Sequence, residues 1–261
     1  MTRLLFFLGL LLLAGLPAHA GAPDALVNGG EAQVTSVTDG DTVVLDDGRR
    51  VRLVGIQAPK LSLGRANFAD WPLAHEAKAK LEKLVAGQTV TLRLAPQAMD
   101  RHGRVLAHLV RTADGLWVQG ALLSAGLARV YTFPDNRVLA EPMLSLERVA
   151  RAERTGLWNL PYYTLRTPDN VRHDEGTFQI VEGLVMDAQR IKTRIYLNFG
   201  VDWRSDFTVT IQTRHNKTFA KSGVDLVSLK GHRVRVRGWV QDKNGPMIVL
   251  DHPERLEILT P

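Results

Sequence analysis

The segment TDGDTVVLDDGRRVRLVGIQAPK, residues 38–60, constrains the fold more than any other stretch of the chain. Two short β-branched runs, 42–45 and 51–56, are joined across Asp46-Asp47-Gly48, and a third run at 34–37 precedes them. Asp-Gly between alternating apolar residues is a hairpin signal, so antiparallel strands follow one another at short range. Strands this short need a partner layer or closure into a barrel to bury a face. The pattern predicts further strands over 89–94 and 105–111. Apolar residues at helical spacing predict helices over 74–85 (AHEAKAKLEKLV, stopped by Gly87), 116–127 and 139–157.

Beyond residue 160 the period is lost. Residues 161–176 carry two prolines and mixed charge, and read as a linker. Alternation then restarts, predicting strands over 180–185, 194–200, 207–211, 233–240 and 247–250 with one short helix over 222–229. Five strands with a helix after the third is the order of a small OB-like β-barrel. The expected class is β-rich α+β, a first unit of short strands with three helices followed by a second, smaller barrel. The expected divisions are a leader at 1–20, a flexible stretch at 21–32, a first domain at 33–160, the linker, and a second domain at 177–261.

The first twenty residues read as an export signal. Arg3 precedes an apolar run from Leu4 to Leu16, and Ala18-His19-Ala20 has the small-x-small pattern of a cleavage site. Thirteen apolar residues are fewer than the roughly 20 that cross a bilayer, so no stable membrane anchor is expected. The chain is expected to act in the periplasm or to be secreted. It has 261 residues and no cysteine, so packed cores rather than disulfides must hold it. Its net charge is +6, and removing Arg3 with the leader leaves +5. Such a surplus suits a polyanion partner and equally an ordinary basic protein.

Asp39-Gly40-Asp41-Thr42 alone is most simply a turn, and Asp100-Arg101-His102-Gly103-Arg104 a charged hairpin tip. Their order with Arg52 is more informative. A carboxylate at a strand start and two arginines on neighbouring strands suit phosphate, the carboxylate holding a hard cation and the guanidinium groups taking oxygen charge. VTDGDTVVL, VRLVGIQAP, the helix with Glu76, DRHGRVLAHLV and ALLSAGLARVYT, ending in Gly156-Leu157-Trp158, resemble the staphylococcal nuclease (thermonuclease-like) family over roughly residues 33–160. The resemblance implies a five-stranded OB barrel with three helices. It implies Asp41 as a Ca²⁺ ligand and Arg52 and Arg104 as catalytic groups on the scissile phosphate.

The resemblance departs at Gln57-Ala58-Pro59-Lys60. Active members have a second metal-binding aspartate and a water-activating glutamate where Gln57 and Lys60 stand. Asp41 among Arg52, Arg104 and Lys60 sums to +2, which argues against Ca²⁺ and for direct binding of phosphate. Asp39, Asp70 and His102 are substitute candidates for a ligand or base. In the second unit Arg233, Arg235 and Arg237 alternate, so a strand puts them on one face. With Tyr196, Phe199, Trp203, Phe207 and Trp239 they make a candidate nucleic-acid surface. RIYLNFGVDWRSDFTVTI resembles the OB-like accessory domain that follows nuclease-like domains in some exported bacterial proteins. Three readings stand: an exported phosphodiesterase with altered catalysis, a binder of nucleic acid (DNA or RNA) on the same scaffold, and a non-catalytic envelope module for a protein partner.

Overall fold

A computed structural model describes residues 26–259, so the expected cleavage after Ala20 lies outside the described residues. The first unit is built on a long strand, β1 (Val27–Asp39), whose two halves pair with different neighbours. The first half pairs with β5 (Thr89–Met99) and the second with β2 (Thr42–Leu45), across irregular registers. β2 turns into β3 (Arg50–Leu53) through the expected hairpin, with Gly48 at φ 83. β3 lies parallel to β6 (Val105–Arg111), and β6 pairs with β5, closing a barrel in the order β1-β2-β3-β6-β5. Val34, Val43, Leu45, Val51, Leu53, Leu92 and Leu109 fill it. Each contributes about 1.5–3 kcal/mol by burial.

Outside the barrel, α1 (Ala74–Val85) buries Ala77, Leu81, Leu84 and Val85. α2 (Val118–Ser124) and α3 (Ala140–Ala152) pack on each other beside a two-strand ladder, β4 (Ile56–Gln57) with β7 (Arg129–Val130).

Two expectations need correcting here. Val27–Glu31 is not a flexible leader: β1 begins at Val27, and its edge pairs there with Arg93 and Leu94. Residues 161–176 are not a loose linker either. Tyr163 is buried with its hydroxyl donating to the Pro72 carbonyl, Val171 packs into the second core, and Arg166 pairs by backbone with Ile180 and Glu182. Short 3-10 turns at Pro161–Tyr163 and Val171–His173 dock the segment instead of a regular helix or strand.

The second unit runs β8 (Phe178–Leu184), β9 (Asp187–Ile191), β10 (Arg194–Asn198), β11 (Thr208–Gln212), α4 (Asn216–Lys221), β12 (Arg233–Asp242), β13 (Pro246–Leu250) and β14 (Leu256–Leu259). The sheet path is β9-β10-β11-β13-β12, with β11 and β13 parallel and with β8 and β14 also on β12. The helix expected over 222–229 falls earlier, at Asn216–Lys221, and only Val227–Leu229 forms a 3-10 turn in that range. Gly223 at φ 77 follows the helix end and breaks the run.

The two units share buried chemistry. Ala150, Leu157, Trp158, Tyr163 and Ile180 form a core that spans both. Arg237 on β12 is 1% exposed and reaches Glu147 on α3 at 3.0 Å and Glu257 on β14 at 2.8 Å. Arg255 donates to the Thr132 carbonyl, and Arg137 makes a two-pronged pair with Glu254.

Candidate functional site

The turn from β1 into β2 brings Asp39 to the wall of a groove and buries Asp41 against Arg52 and Lys60, which line it. Gly40 is required by close approach, because a Cβ there would lie 2.7 Å from Ala58 Cβ and 2.8 Å from Ala77 Cβ. The turn therefore sits tight against α1 and the segment after β4. Asp41 is completely buried, and donors surround its carboxylate. Ala58 N–H donates to Oδ2 at 3.0 Å, Thr42 Oγ1 to Oδ1 at 3.3 Å, and Arg52 Nη2 lies 3.1 Å from Oδ2. Lys60 Nζ contacts both oxygens, at 2.7 and 2.6 Å. Burial alone would raise this acid, but Arg52 and Lys60 outweigh it and hold the carboxyl well below the usual range. Asp39 moves the other way, pushed up by burial and by the Asp41 charge beside it.

Lys60 thus puts an ammonium on both oxygens of Asp41, where a bound cation would sit. Asp39 Oδ2 lies 3.5 Å from the same ammonium. The expected count of +2 is corrected by these partners. Asp39 and Asp41 balance Arg52 and Lys60, while Arg104 is paired with Asp100 at 2.7 Å. The cluster is neutral, and what opposes a metal is occupancy rather than repulsion.

The other predicted site residues are placed as follows. Arg52, from β3, turns its fork inward, donating to the carbonyls of Leu53 at 2.6 Å and Ile56 at 2.7 Å. Arg104 follows the Gly103 turn and joins Arg52 and Lys60 in one groove of about 1240 Å³. Gln57 points elsewhere: its Oε1 accepts from Arg129 Nε at 2.9 Å and Nη2 at 2.8 Å. Asp70 braces its own loop through Ser62 and His75. His102 lines the groove, beside Arg101.

Arg233, Arg235 and Arg237 do share a face, as alternation requires, but α3 buries it at Arg237 through Glu147, while Arg233 at the strand start stays exposed. Arg235 pairs with Glu182 at 2.7 Å and Glu257 at 3.5 Å, and Arg233 pairs with Glu182 at 3.1 Å. The proposed nucleic-acid stripe is corrected to an ion-pair network that joins the units. Phe199 and Phe207 belong to the second core.

Sequence reasoning missed Arg50, Arg65, Arg101, Tyr131, Phe133 and the placement of Trp239, which all line the groove. Six cations against three carboxylates (Asp39, Asp100, Asp135) line it, an electropositive channel. The paired Arg49-Arg50 after the hairpin turn was the available signal for part of this set.

Ca²⁺ takes six to eight oxygen ligands. No group of three or more His, Asp or Glu suited to a metal occurs among the described residues. With Lys60 on Asp41 and Gln57 turned to Arg129, the residues present do not fit the ion.

The family model for staphylococcal nuclease homologues matches residues 50–160. The chain is 33% identical over 158 residues to protein ParB of Escherichia coli, a match covering 55% of this chain and 83% of that one. The chain belongs to the staphylococcal nuclease homologue family. An uncharacterized protein of Methanocaldococcus jannaschii is 30% identical over 148 residues, covering 49% of this chain and 70% of that one. An uncharacterized 38.1 kDa protein of Capnoides sempervirens is 38% identical over 110 residues, 42% of this chain but 28% of that protein's length. Membership supports a nuclease-like, nucleic-acid-binding role, in a family generally dependent on calcium. The matched region includes Arg52, Gln57, Lys60 and Arg104, and it ends before the second unit begins.

Proposed function

We propose that this protein binds the phosphodiester backbone of nucleic acid in the basic groove without a metal ion. The observation that carries the reading is the Lys60 ammonium seated on both oxygens of Asp41. A lysine there supplies the positive charge that would otherwise need a cation, and it removes the carboxylate base of the calcium-dependent reaction. A protonated amine accepts no proton from water, so hydrolysis by that route is lost. Asp41 then serves as an anchor for Lys60 and Arg52 rather than as a metal ligand. Arg104 stays at the groove wall, held by Asp100.

Among the described residues, the groove cations without carboxylate partners are Arg50, Arg65 and Arg101; Arg65 is tied to the Leu61 and Ser62 carbonyls, so Arg50 and Arg101 are the ones to test, with Arg104 and Lys60 adding partly neutralised charge. In this reading the second unit is an OB-like barrel fixed to the first, and the protein acts after export. The test is binding of a single-stranded oligonucleotide across a salt series, with chelator or calcium. Affinity should fall with salt, and Arg50→Gln and Arg101→Gln should each flatten the slope of log K against log salt by about 0.7. An unchanged slope in the double variant would overturn the placement of the ligand in this groove. Calcium-dependent cleavage on a DNA or RNA gel would overturn the assignment of Lys60.

A further inference from the structure

We infer that Trp239, contributed by the second unit, stacks on a base of the bound strand, so that the groove selects single-stranded nucleic acid. The inference rests on the phosphodiester reading of the groove and adds what lies beside the phosphates. Residues 233, 235, 237 and 239 share one face of β12. Arg237 is covered by the first unit through Glu147, Arg235 is held by Glu182 and Glu257, and Trp239, next on that face, emerges at the groove.

The residue is 41% exposed, yet its ring is not loose. Nε1 donates to Tyr131 Oη at 2.8 Å, and Phe178 packs near it edge-on with centroids 6.4 Å apart. Tyr131 is in turn held edge-on by Phe133 at 5.1 Å and Phe178 at 4.8 Å. Phe133, also in the groove, is 44% exposed. Two large exposed rings on a braced support beside a cationic wall make a platform with its polar need already met. Base stacking is the chemistry such a platform offers. A duplex keeps its bases inside the stack and cannot use it, whereas a single strand can. The ion pairs of Arg237 with Glu147 and Glu257 set the position of β12, which makes the second unit part of the site.

The experiment uses the full chain and fluorescence anisotropy with three labelled probes: a twelve-residue thymidine strand, an abasic strand of the same length, and a duplex. The wild type should bind the thymidine strand more tightly than the abasic strand or the duplex. Trp239→Ala should weaken the thymidine strand about 5- to 100-fold and leave the abasic strand within twofold. Trp239→Phe keeps a ring and should recover most of the affinity, which separates stacking from loss of fold. Equal loss on thymidine and abasic strands, or equal wild-type affinity for both, would overturn the inference while leaving the phosphate groove standing. A wild type that binds neither strand would overturn both.

Discussion

The three arginines of RVRVR offer one chemistry in three environments, and their substitutions should separate accordingly. Arg237 is 1% exposed and bridges two carboxylates, Glu147 and Glu257. Removing one partner of a buried pair leaves uncompensated charge and costs about 3–5 kcal/mol. Arg237→Gln should cost that much, because Glu147 then keeps only Arg151 and the Val130 N–H. Arg233, with its side chain 59% exposed, shares Glu182 with Arg235. Arg233→Gln should cost about 0–1 kcal/mol, as exposed pairs do. Arg235→Gln, at 14% side-chain exposure, should fall between. Urea unfolding with matched slopes gives the three values directly. Equal costs at 233 and 237 would refute the burial argument. So would a loss of oligonucleotide affinity in Arg237→Gln at unchanged stability, since that is the behaviour of a nucleic-acid stripe.

His108 is buried with Nδ1 accepting from Trp117 Nε1 at 3.2 Å, and burial pushes its imidazole down to about 3 from an ordinary 6.5. The unfolded chain therefore takes up a proton that the folded one refuses, and stability should fall as pH drops below 6.5, by about 2 kcal/mol at pH 5. His252, also lowered by burial, acts in the same direction. Asp41, whose acid is depressed, loses its contribution only below about pH 4; Asp39, pushed up by burial, gains stability as pH falls and opposes the histidines, so the histidine share of the window from 6.5 to 5 is read from the His108 variant. His108→Gln should flatten urea midpoints across that window, and an unchanged pH dependence would count against it. Gly40→Ala should destabilise by about 1–3 kcal/mol through overpacking against Ala58 and Ala77. A thermal melt matching wild type would show that the turn can relax.

Local signals carried much of the first unit. The Asp-Asp-Gly hairpin is where alternation placed it, and α1 matches the apolar spacing of 74–85 at both ends. What local pattern could not carry was cover. Arginine alternating on a strand looks the same whether solvent or α3 lies above it, so Arg237 reads like Arg233 until Glu147 comes across from a distant helix. Counting charges failed for a related reason: Asp39 reads as a turn residue or substitute ligand and Asp100 as part of a hairpin tip, and neither enters the count, although each also neutralises a cation of the groove. Asp187–Ile191 was missed as a strand because DAQRI is polar and weakly β-forming; pairing with β10 makes it one. Lys60 was legible as a departure from the active pattern. That its ammonium would settle on Asp41 required the fold.

The central claim is that Lys60 holds the position a calcium ion would take, and calcium-dependent thermal stability tests it without reference to catalysis. An ion binding only the folded protein at one hundred times its dissociation constant adds about 2.7 kcal/mol. The melting midpoint of the wild-type chain, measured in chelator, in magnesium and in calcium at equal ionic strength, should be the same in all three. A rise specific to calcium, present in the wild type and absent in Asp41→Asn, would contradict the account.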